Sequence, residues 1–122
     1  SMFLPQPLLS ERFLQALQRH YRLMLLSNTN EIHFDFVVEN YPILRLIEER
    51  LLSYQAGCMK PEARIFELAI QKAGVAPESI FFTDDRPENI EAAQRAGIQA
   101  LQFQSESQLK RDMQSRGIAF AN

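Results

Sequence analysis

The sequence predicts an α/β layer domain on three observations. Helical and strand periods alternate from Leu8 to Arg116, two helical periods stop at Gly74 and Gly97, and apolar runs end in small polar or acidic residues just before the next helix. Two of those strand ends, Leu26-Ser27-Asn28-Thr29 and Phe82-Thr83-Asp84-Asp85, carry the chemistry of the chain. In open α/β sheets ligands bind at such C-terminal strand ends.

Phe3 to Pro7 reads as an irregular lead-in. Leu8 to Arg19 has Leu9, Phe13, Leu14 and Leu17 at helical spacing behind the cap residue Ser10. Tyr21 to Leu26 is the first strand. Asn30 to about Glu39 reads as a helix with Ile32, Phe36 and Val37 on one face; Pro42 interrupts, and a short helix is expected around Ile43 to Glu48. Arg50 to Tyr54 is a second strand, and Pro61 to Ala73 a helix with Ile65, Phe66, Leu68 and Ala69 towards the sheet. Ser79 to Thr83 is the third strand, Pro87 to Ala96 a helix, Ile98 to Phe103 the fourth strand, and Ser107 to Arg116 a polar closing helix.

Composition narrows the function classes. A chain of 122 residues has single-domain length, and 46% apolar content with nine Phe supplies a core. A net charge of −2, with scattered arginines and no aromatic-interleaved basic stripe, gives no electrostatic case for nucleic acid. Cys58 is the sole cysteine, so one chain builds neither an internal disulfide nor a thiolate metal cluster. A nucleophilic Cys58 would need a base such as His33 beside it, and nothing in the sequence demands that contact. No apolar run is long enough to span a bilayer, and no signal-peptide layout opens the chain, so a cytoplasmic protein is expected.

The run Ile80 to Ile90 places adjacent carboxylates, Asp84 and Asp85, where an apolar strand meets a helix opened by Pro87. A hard cation such as Mg²⁺ prefers such oxygen donors, and the competing reading is a helix cap. Asn89, four residues after Asp85, has a capping reading and a site reading of equal weight. Lys60 precedes Pro61 at the start of an amphipathic helix, where it can face the crevice or be an ordinary solvated lysine. Ser27 offers a hydroxyl, and the backbone N–H groups around Asn28 stand near a helix N-terminus, an arrangement that suits a phosphate; capping is again the alternative.

The order strand-Ser, Lys-Pro, strand-Asp-Asp-x-x-x-Asn resembles motifs two to four of the haloacid dehalogenase (HAD) superfamily. The likeness runs from about Tyr21 to Phe103 and is closest over Gly57 to Phe66 and Phe82 to Ala93. Ser27-Asn28-Thr29-Asn30 with His33, then Glu39-Asn40-Tyr41-Pro42, looks most like the branch containing the bacterial α-D-glucose-1-phosphate phosphatase, and less like the phosphatase half of soluble epoxide hydrolase. The resemblance implies a Rossmann-like core with a mostly parallel sheet and Mg²⁺-dependent hydrolysis of a small phosphorylated metabolite. It further implies Asp85 as metal ligand supported by Asp84, Ser27 and Asn28 around the phosphoryl oxygens, and Lys60 as the balancing charge in catalysis.

One departure is large. The family's first motif, an Asp-x-Asp that supplies the nucleophile, is absent, and Asp35 follows the Ser27 motif on an expected helix. The chain therefore reads as a single partial core domain over residues 1–122, without cap or central first strand, truncated and inactive alone; Ser1-Met2 reads as a tag remnant or a native start. A sheet without its spine would expose unpaired strand edges, so self-association, strand swapping or altered strand order is expected. Two rival readings stand beside this one. A non-catalytic module could keep the fold for assembly, and a phosphoacceptor receiver domain has similar residue types, but there the acidic pair comes early and the lysine late, the reverse of Lys60 before Asp84-Asp85.

Overall fold

Leu23-Met24-Leu25-Leu26-Ser27 is buried at every position, as expected of a strand covered on both faces. In the computed structural model, whose described residues are 2–4, 9–41, 44, 47 and 49–118, this strand is one of five, all parallel. In chain order the elements are β1 (Met2–Leu4), α1 (Glu11–His20), β2 (Leu23–Ser27), α2 (Glu31–Asn40), β3 (Glu49–Leu52), α3 (Ser53–Ala56), α4 (Ala63–Ala73), β4 (Phe81–Asp84), α5 (Pro87–Arg95), β5 (Gln99–Gln102) and α6 (Glu106–Ser115). The sheet order is β3-β2-β1-β4-β5. This is the expected α/β, Rossmann-like architecture.

Strand side chains alternate between two cores. Met2, Leu23, Leu25, Phe81 and Leu101 face Phe13, Leu14 and Leu17 of α1 and Leu109 and Met113 of α6. Phe3, Met24, Leu26, Phe82 and Ala100 face Ile65, Phe66 and Ala69 of α4 and Ile90 and Ala93 of α5. Helices therefore cover both faces of the sheet. The helix starts obey local chemistry: Ser10 Oγ accepts from Phe13 N, Asn30 Oδ1 from His33 N, and Ser105 with Gln108 forms a reciprocal capping box.

The structure corrects several expectations. Phe3 is not part of an irregular lead-in, because Met2–Leu4 is a strand at the sheet centre, in register with Leu23–Leu25 on one side and Phe81–Phe82 on the other. Met2 and Phe3 are 0% and 1% exposed. Short as it is, β1 fills the slot between β2 and β4, so the central strand is present in the sheet. Among the described residues there is accordingly no open centre that would require swapping or a new strand order.

On α2 the buried side chains are Phe34 and Val37, while Ile32 and Phe36 are 84% and 59% exposed. At about 100° per residue Phe34 and Val37 share a face that Ile32 and Phe36 do not. β3 stops at Leu52 rather than Tyr54, because Ser53 turns into α3 and its hydroxyl bonds Thr29. On α4, Leu68 is only half-buried, and Ala73 joins the core instead. Pro42 and most of the short helix expected around Ile43 to Glu48 lie outside the described residues.

Candidate functional site

β2 and β4 flank the short β1, so their C-terminal ends approach one crevice at the rim of the sheet. A cleft of about 500 Å³ opens there, and Ser27, Asn28, Lys60, Asp84, Asp85 and Asn89 all line it. Residues far apart in sequence and singled out for their chemistry thus share one pocket. The remaining polar lining, Arg86 and Glu88 with Pro61 beside Lys60, was not read as site residues from the sequence.

The floor is a buried ion pair. Lys60 Nζ lies 2.5 Å from Asp84 Oδ2, with the two side chains 7% and 2% exposed, and it donates a second hydrogen bond to the carbonyl of Leu26 at 3.1 Å. It also stands 5.8 Å from the centre of the Phe82 ring, a cation–π distance. An ammonium has three N–H donors, so two fixed acceptors leave one for a group entering the cleft.

Asp84 is held on both oxygens. Oδ1 accepts from the backbone N–H of Arg86 at 2.9 Å, an Asx turn that leads into α5, and from Asn89 Nδ2 at 3.3 Å. Burial pushes this carboxyl up, but the Lys60 charge, the Lys60 hydrogen bond and the bond from the Arg86 backbone N–H outweigh it, and the net direction is down. Asp84 is therefore an anion matched to a cation. Asn89, buried on the first turn of α5, turns its amide to Asp84, while the residue at the helix N-cap, Arg86, makes no side-chain capping bond.

The adjacent Asp85 is exposed at the cleft. Of the two acids it is the one with a solvent-facing carboxylate. Mg²⁺ takes six oxygen ligands in near-octahedral geometry. Among the described residues no group of three or more His, Cys, Asp or Glu could hold a metal ion, and Asp84 is already committed to Lys60. The acids present do not make up a full Mg²⁺ site.

Ser27 is 5% exposed at the end of β2. The turn after it is tied twice to distant segments. Asn28 Nδ2 donates to the Lys60 carbonyl at 2.9 Å while Asn28 Oδ1 accepts from Lys60 N at 2.8 Å. Ser53 Oγ accepts from Thr29 N at 2.8 Å and donates to Thr29 O at 2.9 Å. The Asn28 side chain is thus turned to Lys60, leaving the backbone around it as the part suited to an anion. Ser53 was missed from the sequence, where its only signal was a hydroxyl at the end of a strand. Asp35 is exposed on α2 and does not line the cleft.

Known proteins share this arrangement of strands. A family model for haloacid dehalogenase-like hydrolases matches residues 7–97. The chain is 31% identical over 96 residues to a D-ribitol-5-phosphate phosphatase from Bacteroides thetaiotaomicron, covering 74% of this chain and 47% of that protein. It is 32% identical to a chloroplast flavin mononucleotide hydrolase from Arabidopsis thaliana, covering 77% of this chain and 42% of that protein. The chain therefore spans about half the length, or less, of these curated relatives.

Among solved structures, a HAD family enzyme from Bacteroides thetaiotaomicron in complex with magnesium and inorganic phosphate has a TM-score of 0.70 at 34% identity, covering 79% of this chain and 51% of that one. An uncharacterized protein from Corynebacterium glutamicum has a TM-score of 0.75 and covers 99% of this chain and 97% of that one, at an identity of 18% that shows the fold alone. A matched family model over most of the chain, two curated relatives above 30% identity and a shared sheet lead to one conclusion: the chain belongs to the haloacid dehalogenase-like hydrolase family.

Proposed function

We propose that the cleft is the phosphate seat of a Mg²⁺-dependent phosphate monoester hydrolase acting on a small phosphorylated metabolite, and that this chain alone supplies the seat without the nucleophile. The observation that carries the reading is Lys60: a buried ammonium lining the same cleft as Ser27, fixed by Asp84 and Leu26, with one donor left for an anion. A relative named as a D-ribitol-5-phosphate phosphatase, another named as a flavin mononucleotide hydrolase, and a neighbour in complex with magnesium and inorganic phosphate support it. A sugar phosphate enters only by analogy with the glucose-1-phosphate phosphatase branch that Ser27 to Pro42 resembles.

In this reading Ser27 and the backbone around Asn28 hold phosphoryl oxygens, and Lys60 offsets their charge. Asp84 holds Lys60 in place, Asn89 steadies Asp84, and Asp85 offers the metal one carboxylate. Bound Mg²⁺ would neutralise the phosphate oxygens during transfer. The chain contains no Asp-x-Asp, and the residues after β1, Pro5-Gln6-Pro7, include no acid. Its own Mg²⁺ affinity is accordingly weak.

Titration of the purified chain with inorganic phosphate, followed by ³¹P NMR with and without Mg²⁺, tests the seat: saturable binding that K60A abolishes is expected. A parallel assay with p-nitrophenyl phosphate is expected to stay at background. A Mg²⁺-dependent turnover typical of the family would overturn the assignment of an inactive chain. A second reading, an assembly module on the same fold, draws on the exposed Ile32, Phe36 and Tyr41 and on the missing acid pair. Full hydrolytic activity would exclude it.

A further inference from the structure

We propose that Asn28 is a positioning residue for Lys60: its amide, locked to both backbone groups of that lysine, sets where the ammonium presents its remaining donor. The inference rests on reading the cleft as an anion seat, and it assigns the Asn28 side chain a task other than touching the anion. The geometry is specific. Asn28 reaches across 32 residues of chain, and both arms of one side-chain amide close on one residue, Nδ2 to Lys60 O at 2.9 Å and Oδ1 from Lys60 N at 2.8 Å.

This pairing imitates a strand-to-strand bond with a side chain in place of one strand, so it fixes orientation as well as distance. Its consequence is mechanical. The turn after β2 carries Ser27 and the cleft-facing backbone, and the Lys60 segment carries the ammonium, so the Asn28 clamp makes one unit of both walls of the cleft. Lys60 Nζ is then anchored from two ends, by Asp84 and Leu26 at its tip and by Asn28 at its root. A two-ended anchor leaves the third N–H a narrow range of directions, the preorganisation that anion recognition rewards.

The same turn provides a matched control. Ser53 Oγ makes an equivalent two-way clamp on Thr29, the next residue, and does not touch Lys60. Removing Ser53 takes two hydrogen bonds from the same turn, as removing Asn28 does, but leaves the root of Lys60 alone.

The test uses the full chain labelled with ¹⁵N-lysine. The sequence has three lysines, Lys60, Lys72 and Lys110, so the Nζ spectrum is simple to assign. Wild type, N28A and S53A are compared in Lys60 Nζ chemical shift, thermal midpoint and affinity for inorganic phosphate. In N28A the Lys60 Nζ signal is expected to shift or broaden, and phosphate binding to weaken about ten- to a hundredfold, as for a small misplacement of a binding group. In S53A both are expected to remain near wild type.

An N28A protein with an unchanged Lys60 signal and phosphate affinity, losing only the thermal stability that S53A loses, would overturn the proposal. If N28A shifts the Lys60 signal while neither protein binds phosphate, the positioning role stands and the phosphate-seat reading fails. Should N28A not fold, N28S, neutral and too short to close on both Lys60 backbone groups, takes its place, and its Lys60 signal is read the same way.

Discussion

At the scale of single residues, the Lys60–Asp84 pair dominates because it is buried on both sides. Removing one partner of such a pair strands a charge, whereas removing both strands none. The variant K60M is expected to lose about 3 kcal/mol in urea unfolding, the lower end for breaking a buried pair because Asp84 keeps bonds from Arg86 and Asn89. The double variant K60M/D84N is expected to regain part of that loss. The pH dependence should reverse between wild type and K60M. In wild type the Asp84 carboxyl is held below its ordinary 3.8, so its contribution is complete at neutral pH and is lost as pH falls through the depressed value. Without Lys60, burial, the largest influence on Asp84, pushes the carboxyl up instead. K60M should then gain stability on acidification from neutral pH towards 5, where wild type does not, and urea midpoints across that range check it. Ser27, Lys60, Asp84 and Asp85 could be found from the sequence because they follow one another in the order of the family's motifs, Ser27 and Asp84 at strand ends and Lys60 and Asp85 shortly before a helix. The double bond of Asn28 to Lys60 could not, since a side-chain amide 32 residues from its partner leaves no local signal.

At the scale of elements, the boundaries most visible in the sequence were those with chemical punctuation, and glycine supplies the sharpest tests. Gly74 ends α4 at φ +68 and Gly97 follows α5 at φ +89, both in the left-handed region. An added Cβ meets nothing within 4 Å at Gly74, but stands 3.2 Å from Pro77 Cβ at Gly97. G74A should therefore cost about 1 kcal/mol from backbone conformation alone. G97A should cost clearly more, because the Pro77 ring sits against the new methyl. Equal thermal midpoints for the two variants would contradict this. S105A removes the acceptor of the α6 capping box and is expected to cost about 1 kcal/mol. Elements lacking such punctuation were harder to read. β1 is three apolar residues followed by Pro5 and Pro7, too short for a strand period to register. On α2 apolar residues occupy both faces, so spacing alone did not reveal that Phe34 and Val37 are the buried pair.

At the scale of the molecule, the three residues of β1 hold the sheet together. Phe3 packs among Met24, Leu26, Phe66 and Phe82 in the core beneath α4 and α5, while Met2 packs in the opposite core, so one short strand joins both layers. The outer edges of the sheet are better protected than its centre would be without β1. β3 carries Glu49, paired to Arg22, and Arg50, while β5 begins and ends in glutamine, and charged or polar edges discourage pairing with another chain. Loss of β1 would therefore open the sheet centre to self-association. Truncating Phe3 to Ala should cost about 3–5 kcal/mol, as for other large-to-small changes in a packed core, and should free the slot between β2 and β4. Sedimentation at rising concentration is then expected to show a monomer for the intact chain and concentration-dependent association for F3A, with phosphate affinity falling in parallel because Ser27 and Asp84 end the strands that β1 holds apart. An intact chain that dimerises while F3A changes nothing would move the association surface away from the sheet centre, to the exposed Ile32 and Phe36 of α2. Loss of phosphate binding in F3A without any association would instead mean that β1 matters for the spacing of the two cleft walls rather than for closing the sheet.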